Sequence, residues 1–190
     1  MIRSTRISLT ALAAAALLAG SVGVSGAVDA PAGSPRASSA GVLDLHCNGT
    51  MRFEYSPHLL FTPQNATLHG TGGLTCASST NPNITNAQVD IQGSGSLSCT
   101  GGQAEGTARF DYNDGSSSTV KGEFLLSARP GGEIVTAIRG TVTGGQFQGD
   151  TVVGEYVGTT TTPFDCANPQ EGLDSTSGPV NIDFTGLAGN

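Results

Sequence analysis

The sequence predicts an all-β fold, an antiparallel β-sandwich or partly closed barrel of about eight strands, behind an N-terminal signal helix. Three observations carry this expectation. After residue 41 apolar and polar side chains alternate with a period of two, which is the mark of half-buried strands. Gly, Asn, Asp and Pro break the alternation at short intervals, as turns between short strands require. No stretch after residue 41 shows the three-and-four spacing of an amphipathic helix over three turns, so crossover helices are not expected.

The chain begins with Arg3 and Arg6, an apolar run over residues 7–19 and the small residues Ser25, Gly26 and Ala27. A charged start, a short apolar segment and small residues at the cut describe a secretory signal peptide, here residues 1–27. The run falls well short of the roughly 20 residues that cross a bilayer, which disfavours a membrane anchor. Residues 28–41 contain no aromatic side chain and little to bury, and read as a flexible leader. Residues 42–190 suit a single β domain with one core. The expected location is secreted and extracellular.

Cleavage after Ala27 removes two of the eight basic residues, leaving six against 15 acidic ones and a formal charge of −9. Such a surface repels phosphate backbones and anionic lipid heads, so neither nucleic acid nor membrane is an expected partner after cleavage. Four cysteines, Cys47, Cys76, Cys99 and Cys166, lie in the exported part. An even number in an oxidising compartment reads as two disulfides, and the absence of any Cys-x-x-Cys pair argues against a metal site.

The clearest element is a hairpin over residues 104–129. Ala108, Phe110 and Tyr112 face one way on its first arm, as do Val120, Phe124 and Leu126 on its second, and Asn113-Asp114-Gly115 makes the turn. Before it, a strand over 42–55 places Met51, Phe53 and Tyr55 inward. Strands over 65–76 and 84–99 follow, interrupted by glycines that mark bulges or bends. After it come strands over 133–142 and 147–157, an irregular stretch over 158–178, and a last strand over 179–185 with Val180, Ile182 and Phe184 inward. Cys47 and Cys76 are equidistant from a turn centred near Phe61, which favours their pairing. Counting strand reversals brings Cys99 and Cys166 to the opposite end. Cys76 with Cys99 remains the alternative, since a slip of one residue reverses a face.

Residues able to carry chemistry are few. His46, His58 and His69 are the only imidazoles, and no Gly-x-Ser-x-Gly elbow accompanies them. Asp111 and Glu123 share the outer face of the hairpin and are the candidate carboxylate pair for glycosidic hydrolysis, although Arg109 and Lys121 share that face. Asp111 to Gly115 resembles the start of a calcium loop, but its glycine comes one position early and no glutamate closes it. Asp165, Asn168, Glu171 and Asp174 form a second, weaker oxygen cluster. No phosphate loop or dinucleotide fingerprint is present, so no cofactor, no metal and no catalytic residue is expected. Sequons at Asn48, Asn65 and Asn83 arise readily by chance in a Thr-rich chain.

The segments 55–76 (YSPHLLFTPQNATLHGTGGLTC), 84–99 (ITNAQVDIQGSGSLSC), 106–122 (GTARFDYNDGSSSTVKG) and 177–186 (SGPVNIDFTG) resemble a group of small secreted four-cysteine proteins from filamentous actinobacteria. The resemblance spans Leu45 to Thr185. It implies an exported β-rich domain without an established activity, and so transfers no functional residue. The expected function is therefore a non-enzymatic binding or structural role toward an extracellular ligand or cell-envelope component. The alternatives are a small-ligand carrier, a protease inhibitor presenting the loop around Cys166, and a hydrolase using paired carboxylates.

Overall fold

A computed structural model describes residues 41–129, 133–160, 166 and 172–187. The predicted signal peptide and leader lie outside the described residues, except Gly41, which already belongs to the first strand. Eight strands follow in chain order: β1 (Gly41–Leu59), β2 (Gln64–Ser78), β3 (Asn86–Ser98), β4 (Gly101–Tyr112), β5 (Ser117–Ala128), β6 (Ile134–Gly145), β7 (Thr151–Gly158) and β8 (Leu173–Leu187). Each pairs antiparallel with its sequence neighbour, and β8 returns to β1 to close the barrel. Closure settles the choice between sandwich and barrel, and it leaves no unpaired edge to be covered.

Several boundaries differ from the sequence expectation: β1 continues through Ser56, Pro57 and His58 to Leu59, and β6 through Gly144 to Gly145. Two differences are larger. The last strand begins at Leu173 instead of Pro179, because β1 is long enough to pair with it far upstream, from His46 opposite Asp183 to Glu54 opposite Ser175. Backbone groups that find a partner extend the ladder whatever the side chains, and here Asp174-Ser175-Thr176-Ser177-Gly178 carries no visible alternation. Strand β7 begins at Thr151, not Phe147. Phe147 instead occupies the preceding turn with φ 62°, the one described non-glycine residue in the left-handed region.

The inward positions fill the barrel. Ring pairs span its middle and one end: Phe53 on Tyr156 (centroids 4.8 Å apart), Phe110 on Phe184 (5.1 Å) and Phe147 on Phe184 (5.8 Å). Phe110 and Phe184 stand on β4 and β8, opposite walls in the strand order, so their contact closes the lumen at that level. Glycine is the counterpart of these large residues. A Cβ on Gly70 would lie 2.5 Å from the Phe53 ring, which shows how small and large residues alternate to fit the narrow interior.

The two ends differ in their connections. The turn pole gathers the β2–β3, β4–β5 and β6–β7 turns with the start of β1 and the end of β8. The disulfide pole gathers the remaining connections, including the long one from β7 to β8. Cys47 bonds Cys76 across directly paired positions of β1 and β2, and Cys99 bonds Cys166 at the disulfide pole. This is the favoured pairing of the strand count.

Candidate functional site

The outer wall is shaped from inside. Inward-facing Gly93, Gly106, Gly122 and Gly140 lie opposite one another on β3, β4, β5 and β6. A Cβ on Gly106 would sit 2.1 Å from the carbonyl oxygen of Gln92, so only glycine lets the neighbouring strand fold over this sharply. Two shallow recesses lie on the outside over this belt. One, of about 580 Å³, is lined by Thr67, His69, Gln92, Ser94, Glu105 and Thr107. The other, of about 400 Å³, is lined by Glu105, Lys121, Glu123, Arg139 and Thr141 among others. Glu105 belongs to both, which joins them into one saddle across the wall.

The saddle combines both signs of charge. Glu105 stands directly opposite Glu123, and Glu123 directly opposite Arg139. The Gln103 amide donates to the Glu123 carboxylate at 3.3 Å. At the saddle's rim His69 Nε2 and Asp90 Oδ2 are 2.9 Å apart, and this hydrogen bond holds the Asp90 carboxyl below the usual carboxylate range. Ion pairs and hydrogen bonds this exposed add little to stability.

The structure separates most of the residues that the sequence singled out. Asp111 faces Ser117 and Glu123 faces Glu105, so the candidate carboxylate pair sits six positions out of register along the hairpin. Asp111 is instead bound by Arg109 at 2.7 Å. His46 pairs with Asp183 at 2.6 Å on the outer wall, and His58 lies exposed near the end of β1. Among the described residues neither His46 nor His69 has a serine or thiol within hydrogen-bond reach, so neither is placed to activate a nucleophile.

The Asp111 to Gly115 segment is a turn. Asp114 accepts hydrogen bonds from the backbone N–H (2.9 Å) and hydroxyl (2.6 Å) of Ser116 and from the Asn81 amide (2.9 Å), which together hold its carboxyl low. Of the weaker oxygen cluster, Asp165, Asn168 and Glu171 lie outside the described residues, while Asp174 accepts a hydrogen bond from the Ser175 hydroxyl. The sequon residues Asn48, Asn65 and Asn83 are all exposed.

Sequence reasoning missed the carboxylates that do meet. Asp44 on β1 and Asp150 beside the start of β7 converge at the turn pole on Gly186 of β8. A Cβ there would lie 2.3 Å from Asp44 Oδ2 and 3.0 Å from Asp150 Oδ1. Asp150 is 8% exposed, and its Oδ2 is buried without a hydrogen-bond partner. Burial first, and the facing Asp44 second, push the Asp150 carboxyl up to about 6. No local pattern announces such a pair, because only barrel closure brings β1, β7 and β8 together.

Compared with family models, curated proteins and solved structures, the chain matches none.

Proposed function

We propose that this protein is exported, loses residues 1–27, and works outside the cell as a non-enzymatic binding or structural domain that meets its partner with its outer wall. The observation that carries the reading is the packed lumen, in which the rings of Phe110 and Phe184 touch between opposite strands. A carrier of the barrel type needs a chamber for its ligand, and rings in contact leave none at that level. Two disulfides suit an oxidising, extracellular setting.

Polar outward positions such as His46, Asn48, Thr50, Arg52 and Glu54 support a water-facing wall. A membrane-spanning barrel would present an apolar band there. The net acidity and the saddle suit an uncharged or basic polar component of the cell envelope. The resemblance to secreted actinobacterial proteins supports the same setting.

Hydrolysis by paired carboxylates is less well supported. Asp44 and Asp150 are close enough to hydrogen-bond each other, tighter than the roughly 5 to 10 Å that admits a sugar between them. Glu105 and Glu123 do face each other in the saddle, so their double replacement by Gln is the control for that reading.

Protein recovered from culture medium tests the proposal. Native mass spectrometry is expected to show a bare chain starting at Val28 with all four thiols oxidised, and co-sedimentation is expected to show binding to isolated cell envelopes. Recovery with a retained small molecule would overturn the outer-wall reading. Hydrolytic activity abolished by the Glu105/Glu123 double replacement would overturn the non-enzymatic one.

A further inference from the structure

Asp44 and Asp150 lie side by side in the wall of a recess of about 490 Å³ at the turn pole. Among the described residues lining it none is Lys, Arg or His, so none of these supplies a counter-charge. Asp150 is more than nine-tenths buried, and its Oδ2 accepts no hydrogen bond. A buried carboxylate oxygen with neither a donor nor a cation is costly, and the half-buried Asp44 carboxylate beside it adds repulsion.

From these positions the geometry points to a divalent-cation site of the calcium type, with Asp44 and Asp150 as its charged ligands. The chemistry of the donors selects the ion. Every polar side chain lining the recess (Asp44, Asp150, Thr80, Gln146 and Gln148) offers oxygen, and no thiolate or imidazole is present, which suits a hard cation over zinc or copper. An open recess that admits water accommodates the six to eight ligands of calcium more readily than the tight octahedron of magnesium.

Gly186 is the second part of the device. Any side chain there would fill the space on which both carboxylates converge. Two charged ligands suit a weak site of the extracellular kind, with Kd on the order of 0.1 to 1 mM. Occupancy would tie the start of β1, the β6–β7 turn and the end of β8 together.

The experiment is calorimetric titration of CaCl2 into the EDTA-treated mature protein at pH 7.5, with thermal melts in parallel. Wild type is expected to bind in that range and to gain roughly 2–6 °C in Tm at 5 mM Ca2+. Asp150→Asn is expected to lose affinity at least tenfold, yet to melt above wild type in cation-free buffer, because it removes an uncompensated charge. Gly186→Ala keeps both charges and is expected to weaken binding similarly; Asp44→Asn replaces it if that variant does not fold. Unchanged Ca2+ affinity in Asp150→Asn would overturn the site. So would wild type that neither binds Ca2+ nor shifts its Tm, the result expected if the two carboxylates only share a proton.

Discussion

The two ends of the barrel are closed by different means. At the turn pole the connections are short and their own side chains tie them together, above the Cys47–Cys76 bond, which joins β1 and β2 at directly paired strand positions and fastens no long connection. Asn113 Oδ1 accepts from the backbone N–H of Thr85 (2.8 Å) and Asn86 (2.9 Å), while its Nδ2 donates to the Asn83 carbonyl (2.9 Å). One residue thereby joins the β4–β5 turn to the β2–β3 turn. At the disulfide pole the β7–β8 connection spans 14 residues, 159–172, and the Cys99–Cys166 bond ties it to the end of β3. The difference follows from chain entropy: a short turn loses little on ordering, while a long loop gains most from a covalent tie.

Beneath both closures lies a similar layer of aromatic rings and buried hydroxyls. At the turn pole the Tyr112 hydroxyl donates to Ser118 Oγ (2.9 Å), and Phe147 packs edge-on against the Tyr112 ring. At the disulfide pole the hydroxyls of Tyr156 (3.0 Å) and Tyr55 (3.2 Å) both meet Thr176 Oγ1. Burial raises all three phenols, those of Tyr112 and Tyr156 to about 12. The packing is thus alike at the two ends, and only the outermost layer differs.

The largest effect is expected at the long loop. Replacing Cys99 and Cys166 with Ala opens a loop of sequence separation 67 and is expected to cost about 4 kcal/mol in urea unfolding. Hydrogen exchange is expected to rise at the disulfide pole only. Equal loss of protection around Asn113 would break the comparison, since it would mean that the poles unfold together. Next, Thr176→Val strands two buried hydroxyls at nearly constant volume, for an expected cost of about 2–3 kcal/mol. Tyr55→Phe made together with it is expected to recover part of that loss, which a double-mutant cycle measures.

How much of this was legible in the sequence depended on the range of the interaction. The inward sets Met51, Phe53, Tyr55 and Val180, Ile182, Phe184 are all buried as their alternation predicts, because a period of two is a local property. Tyr156 escaped notice as a core residue although it is fully buried: Gly154 and Gly158, its inward neighbours on β7, leave no apolar alternation around it. Cys47 and Cys76 were placed opposite each other by symmetry about one short turn, where a register can be counted. Asp111 with Glu123 failed for the same reason in reverse, since sharing a face says nothing about position along the strand. The saddle and the Asp44–Asp150 pair were illegible because they depend on where the sheet bends and on which strands close the ring.

A medium effect is expected at the turn pole. Asn113→Ala removes three hydrogen bonds in an exposed setting where water replaces part of each, so about 1–2 kcal/mol is expected, with the urea m-value unchanged. A loss matching that of the Cys99/Cys166 replacement would show that side-chain bonds brace an end as firmly as a covalent one.

A last effect sharpens the comparison by pH. The Asp150 carboxyl is held at about 6 against an ordinary value of 3.8, with Asp44 of β1 facing it and Asp150 in turn raising Tyr112 of β4. A folded-state value above the unfolded one means that the stabilising contribution is complete below about pH 4 and is lost as the pH rises through 6. Asp90 and Asp114, whose carboxyls are held low by their hydrogen bonds, act with the opposite sign: their contribution is present above about pH 4 and fades as the pH falls further. The two slopes separate when wild type is compared with Asp150→Asn in cation-free buffer. The Tm difference is expected to move in favour of the variant between pH 4 and 6 and to level off above that window. A difference that stays constant across it would show that the turn pole carries no strained carboxylate, and that its hydrogen-bonded turns alone set its stability.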